Sequence, residues 1–98
     1  MMDFSEALKE LKNGERVARV GWNGKNMFIY MVKGTYIDED FLHEEASKFN
    51  VAVKGFAKFN AHIDMKTADG SVCVGWLASQ IDLLADDWVV VDNHRNLE

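Results

Sequence analysis

The chain of 98 residues contains no proline and a single cysteine. Its turns must therefore rest on glycine, asparagine and aspartate. Cys73 has no partner for an internal disulfide, and within an alternating apolar strand it is expected to be a buried small hydrophobe. No apolar run approaches the roughly 20 residues needed to span a bilayer, so no membrane segment is expected. The first residues, Met1-Met2-Asp3-Phe4-Ser5-Glu6, lack the basic and apolar stretches of a signal peptide, so the chain is expected to stay in the cytoplasm. Positive charge is also short: the net charge is −5. A general grip on DNA or RNA polymers is excluded, since phosphate neutralisation supplies most of that affinity. Ten of the eleven basic residues nevertheless lie at or before Lys66, and a small anion needs only two or three of them.

What remains is an ordinary globular composition, 48% hydrophobic and 28% charged, enough for one core. Residues 1–96 read as a single domain, and Leu97-Glu98 as a cloning remnant. Asp3 and Glu6 have capping-box spacing ahead of Phe4, Ala7, Leu8 and Leu11, which repeat at helical intervals until Lys12-Asn13-Gly14. Strands follow at 17–20 and 27–33 around Asn23-Gly24, a strong hairpin signal. Both faces of the second are apolar, so it is central in its sheet or covered by another subunit. Residues 38–50 fit a helical stripe of Phe41, Leu42, Ala46 and Phe49, or a loop with one helical turn. A strand at 56–66, a turn at Asp69-Gly70, a strand at 71–76, a short helix opened by Ser79 and a strand at 87–92 complete the order. The fold class is α+β: a small antiparallel sheet with an N-terminal helix and a short helix before the last strand.

Catalytic patterns are missing. The segment Gly21-Trp22-Asn23-Gly24-Lys25 lacks the spacing of a phosphate-binding P-loop, and no nucleophile elbow occurs. His62 and Asp64 share a strand face and could make an acid/base pair or two metal ligands, but no third ligand is evident. A strand histidine hydrogen-bonded to a neighbour is the plainer expectation. Asp86 and Asp87 are adjacent, diverge, and suit cap and turn roles.

Binding chemistry is better represented, in three segments. Trp22 stands beside a glycine turn between Arg19 and Lys25, a stacking surface near positive charge; its alternative is a plug in a subunit interface. Lys66 and Thr67 approach the second hairpin turn. Ser79 and Gln80 bring hydroxyl, amide and backbone N–H groups to a helix start, and Asp82 can accept from a ribose hydroxyl or an exocyclic amine. Trp76 and Trp88 are first of all core residues, and Ser79 is first of all a cap.

These segments resemble a phage family, Thoeris anti-defence protein 2. The resemblance is carried by Phe4-x-x-Ala7-Leu8, Lys12-x-Gly14 and Val17-Ala18-Arg19-x-Gly21-Trp22-Asn23-Gly24-Lys25. It continues in His62-Ile63-Asp64-Met65-Lys66-Thr67-Ala68-Asp69-Gly70 and in Trp76-Leu77-Ala78-Ser79-Gln80-x-Asp82-Leu83-Leu84-Ala85-x-Asp87-Trp88, and it lapses at about 34–58. It implies a non-enzymatic sponge without cofactor or metal, a small α+β domain assembled as a homotetramer. Such a protein captures the cyclic ADP-ribose signals of bacterial Thoeris immunity, and some relatives also take cyclic oligonucleotides of the CBASS system at a separate site. On that resemblance Trp22 and Phe28 would stack on the base, and Arg19, Lys25 and Lys66 would meet the pyrophosphate. Asn23, Thr67, Ser79, Gln80 and Asp82 would select ribose and base. Two other classes stay open: a protein-interaction module that blocks a host factor, and a nucleotide-cleaving enzyme using His62 and Asp64.

Overall fold

The computed structural model describes residues 1–22 and 25–91. The Asn23-Gly24 turn, the proposed contact at Asn23 and the chain end from 92 onward lie outside the described residues. The fold is α+β, gathered into two compact units: Met1–Val32 with Ile63–Glu98, and Lys33–His62.

The first unit begins with helix α1 (Phe4–Lys12). Its capping box forms as the spacing demands: Asp3 Oδ1 accepts from the Glu6 N–H, and Glu6 Oε1 accepts from the Asp3 N–H. Asn13 caps the far end, and Gly14 follows with φ of 89°, a left-handed conformation that glycine adopts without strain. The strands of this unit are β1 (Val17–Arg19), β2 (Phe28–Val32), β5 (His62–Lys66), β6 (Val72–Cys73) and β7 (Trp88–Val90). They form one sheet in the order β6-β5-β2-β1-β7, with β1 antiparallel to both β2 and β7. Helix α3 (Gln80–Leu84) precedes β7.

β2 is the middle strand, which accounts for its two apolar faces. α1 packs against β1, β2, β7 and α3. Ala7 and Leu11 of the helix meet Val17, Ile29 and Trp88 of the sheet, and all five are completely buried. Register pairs Val17 with both Ile29 and Val90, and Arg19 with Trp88. Those residues therefore face α1. Strand alternation turns Arg16, Ala18, Phe28 and Tyr30 to the opposite face.

In the second unit, β3 (Thr35–Asp38) and β4 (Phe56–Phe59) form a separate two-stranded ribbon, with Tyr36 opposite Lys58 and Asp38 opposite Phe56. A 3-10 turn (Glu39–Phe41) and α2 (Glu44–Lys48) lie between them.

Three expectations are corrected. Cys73 is exposed rather than buried. Its strand is two residues long at the β6 edge of the sheet, away from β1, β2 and β7 on which α1 packs, so the thiol stays uncovered. The stripe at 38–50 does not form as a buried helical face. α2 is five residues long, Phe41 falls in the 3-10 turn and Phe49 at the C-cap, and they are 82% and 68% exposed. The alternative of a loop with one helical turn is nearer the structure, with β3 as an additional, unforeseen strand. Residues 56–66 are not one strand either. β4 ends at Phe59 and β5 starts at His62, and the two strands belong to different sheets. A side-chain alternation that runs on through Asn60-Ala61 does not register that break.

Candidate functional site

Asp82, on α3, joins several parts of the first unit. Ser79 caps α3, its Oγ accepting from the Asp82 N–H at 3.0 Å, and Asp82 Oδ2 accepts from the Ser79 N–H at 3.3 Å. This reciprocal cap aims the other carboxylate oxygen away from the helix. Asp82 Oδ1 accepts from Arg19 Nη1 at 2.9 Å and from the indole N–H of Trp22 at 3.2 Å. The backbone carbonyl of Asp82 takes the Trp88 indole N–H at 3.0 Å. One short helix thus fixes a guanidinium and two tryptophans.

Arg19 is held from its other side by Asp87, whose Oδ1 accepts from Nε at 2.8 Å and whose Oδ2 accepts from Nη2 at 3.4 Å. The two ion pairs are largely shielded, with side-chain exposures of 15% for Arg19, 13% for Asp82 and 25% for Asp87. The Arg19 N–H groups that could meet a pyrophosphate are directed at carboxylates instead. Hydrogen bonds from Arg19 hold Asp87 below the ordinary carboxylate value. Burial pushes Asp82 up, but hydrogen bonds from Arg19, Trp22 and Ser79 outweigh it and leave the group lowered. Arg19 is raised in turn, first by Asp87 and then by Asp82. Asp87 therefore does more than the cap or turn role expected of it.

Above this network lie four rings. Trp88 is the buried centre; Trp22 meets it edge-on, with centroids 5.3 Å apart and planes at 80°. Trp76 stands 6.4 Å from Trp22 and 6.3 Å from Trp88, and Phe4 is 5.3 Å from Trp88. Trp22 and Trp76 are only partly buried, packed against the core. Trp76 is thus only partly the core residue expected, and Trp22 is partly core as well. Lys25, Ser79 and Gln80 are exposed.

The remaining expected site residues collect elsewhere. Lys66 Nζ donates to the Asn26 carbonyl at 3.2 Å and lies 5.6 Å from the centre of the Phe28 ring. The Arg16 guanidinium lies 4.7 Å from the same ring. Thr67 belongs to the β5–β6 turn, where Asp69 Oδ1 accepts from Thr67 Oγ1, Ser71 N and Ser71 Oγ. These bonds, the one from Thr67 foremost, lower Asp69 to about 2. Phe28 and Lys66 belong to the sheet face opposite α1, whereas Arg19 and Trp88 face the helix. Arg19, Trp22, Ser79 and Asp82 are brought together; Phe28 and Lys66 form a separate group.

His62 Nδ1 lies 2.9 Å from the Asn60 carbonyl oxygen, the arrangement of an ordinary strand histidine. Asp64, 6% exposed, accepts from the Gly75 N–H at 3.0 Å and so anchors the chain beyond β6. Among the described residues no cluster of His, Cys, Asp or Glu could hold a metal ion, and no helix is long and apolar enough to cross a membrane. Arg16, Trp76 and Asp87 were not among the expected site residues. For Trp76 and Asp87 the sequence carried a signal, since both stand in the segment 76–88, but nothing in it paired them with Arg19 and Trp22.

Comparison with known proteins identifies the family. A profile of the Thoeris anti-defense 2-like domain matches residues 2–91. The protein named Thoeris anti-defense 2 of Bacillus phage SP01 is 41% identical over 90 residues, covering 92% of this chain and 94% of that relative. The chain belongs to the Thoeris anti-defense 2 family.

Proposed function

We propose that this protein is a non-enzymatic phage anti-defence factor that counters Thoeris immunity by binding and holding a cyclic ADP-ribose-type signal. The observation that carries this proposal is the partly exposed Trp22, held by Asp82 on the helix that the exposed Ser79 and Gln80 open, with the Trp76 ring 6.4 Å away. A base stacks on the indole face of Trp22, at roughly 1–3 kcal/mol per base–aromatic contact. Lys25 meets the pyrophosphate, and Ser79 and Gln80 the ribose hydroxyls. Arg19 and Asp82 support that wall from behind, since their groups already bind one another.

A sponge must outcompete the effector, which sets the scale at nanomolar affinity, about −12 kcal/mol. One stacking contact is far from that value. Phe28 and Lys66 lie on the other face of the sheet, so a ligand that meets both groups needs two chains. A homotetramer would supply this arrangement, with Thr67 at the margin of the enclosed site. Cyclic oligonucleotides of the CBASS type form the second ligand class to be tried.

Titration calorimetry with a panel of cyclic ADP-ribose isomers and cyclic oligonucleotides tests the proposal, followed by recovery of the ligand from heat-denatured protein. Tight binding and an unaltered ligand are expected. A cleaved product, lost in His62→Ala, would point to an enzyme. Absence of binding by any member of the panel would refute sequestration. Trp22→Ala should lose the stacking contribution while keeping the wild-type assembly.

A further inference from the structure

The hydrogen bonds of Asp87 converge on the three residues that lead into Trp22. Its Oδ1 accepts from Arg19 Nε at 2.8 Å, its backbone carbonyl from the Val20 N–H at 3.1 Å, and its Oδ2 from the Gly21 N–H at 2.8 Å. Arg19 then reaches the Asp82 oxygen that also takes the Trp22 indole N–H. The approach to Gly21 is so close that a Cβ there would lie 2.9 Å from Asp87 Oδ2 and 3.2 Å from Arg19 Nη2. The turn entry is thus shaped around this carboxylate. One guanidinium serves two carboxylates, an expensive arrangement for a surface pair of no further use.

We propose that Asp87 is a positioning residue for ligand capture: through Arg19, Asp82 and the Gly21 amide it fixes the orientation of the Trp22 ring. The inference rests on the proposed role of Trp22 in stacking. A tryptophan next to a glycine turn has two side-chain torsions to order on binding, and that ordering subtracts from affinity. With Asp87 in place the ring is ordered before the ligand arrives. Asp87 itself touches no part of the ligand.

Two measurements on the full-length protein test this. In the ligand-free state, the near-ultraviolet circular dichroism assigned to Trp22, by difference from Trp22→Phe, should collapse in Asp87→Ala while the far-ultraviolet spectrum stays unchanged. A retained Trp22 band would overturn the proposal. In titrations with the cyclic ADP-ribose panel, Asp87→Ala should weaken binding about tenfold or more, yet cause no further loss in a Trp22→Ala background. Additive losses would overturn it, because Asp87 would then act independently of the ring. Should Asp87→Ala not fold, Asp87→Asn carries both arms: it keeps one acceptor oxygen, and its Trp22 band and affinity should fall between those of wild type and Trp22→Ala. Wild-type values for Asp87→Asn in both arms would equally overturn the role. If no member of the panel binds wild type, the sequestration proposal fails, and the dichroism arm still decides whether Asp87 orients Trp22.

Discussion

The two compact units differ in what holds each of them. Among the described residues of Met1–Val32 with Ile63–Glu98, five hydrophobic residues are wholly buried and three aromatic rings gather around Trp88. In Lys33–His62, Ala57 is the buried hydrophobic residue, while Tyr36, Phe41, Phe49, Val51, Val53 and Phe56 are all about half exposed or more. Order in the second unit comes from strand register and local turns, with positive φ at Asn50, Lys54 and Gly55. The difference separates scaffold from surface. The unit with the core also carries the aromatic wall and the ion-pair network, and it holds nearly all the segments that resemble the family.

Removal of the central ring should break the comparison most sharply. Trp88→Ala deletes contacts with Phe4, Trp22 and Trp76 together with the hydrogen bond to Asp82, and such a truncation typically costs about 3–5 kcal/mol. That approaches the whole stability of a small domain. Urea unfolding should show a midpoint near zero denaturant or a chain without near-ultraviolet structure. A loss below about 1 kcal/mol would mean that the core is not where the scaffold resides.

Gly21→Ala comes next. The new methyl would press on Asp87 Oδ2 and Arg19 Nη2, both held by ion pairs, at a cost of about 1–3 kcal/mol for overpacking. In an Asp87→Ala background the obstructing oxygen is gone, so the penalty should shrink. An equal penalty in both backgrounds would place the strain in the backbone instead of the ion pair.

Acid should act on the same network. Asp82 and Asp87 are both lowered from the ordinary value of 3.8 in the folded state. A lowered carboxylate contributes stability above its unfolded value and loses it as pH falls through the folded one. The loss therefore begins near pH 4 and grows below it. Urea midpoints at pH 7, 5 and 3 should show a decline between the last two that is smaller in Arg19→Met. An undiminished decline in that variant would assign the acid sensitivity to other carboxylates, Asp69 among them.

Much of the first unit is legible in the sequence because its signals are local. The Asp3–Glu6 and Ser79–Asp82 boxes, the Asp69-Gly70 turn and the periodicity of α1 each depend on residues a few positions apart, and all form as spaced. The candidate site is less legible because its contacts are remote in sequence. Arg19 and Asp87 are 68 residues apart and Trp22 and Asp82 are 60 apart, so nothing local in the sequence announces the ion pairs that Arg19, a phosphate donor on the resemblance, makes in the fold. Phe28, expected to stack with Trp22, stands on the opposite face from Trp88, a separation that strand alternation sets and the motif spacing does not reveal. In the second unit, alternation through Asn60-Ala61 and the aromatic spacing of Phe41 and Phe49 carried too little to fix either sheet membership or burial.

The smallest effects should come from that second unit. Phe41→Ala and Phe49→Ala remove rings that are already 82% and 68% exposed, so each should change unfolding free energy by no more than about 0.5 kcal/mol. Affinity for the cyclic ADP-ribose panel should likewise stay at the wild-type value if the wall is Trp22 and Trp76. An exposed apolar patch can mark a contact surface, so the same variants also separate sequestration from a blocking interaction. A protein-interaction module would lose a stoichiometric partner in pull-down when Phe41 or Phe49 is trimmed, and would bind no nucleotide before or after. Intact nucleotide binding with unchanged stability confines the function to the unit that has the core. A stability loss above about 1 kcal/mol from either variant would instead show that these rings are covered in the assembled protein, and the contrast between scaffold and surface would have to be redrawn at the level of the oligomer.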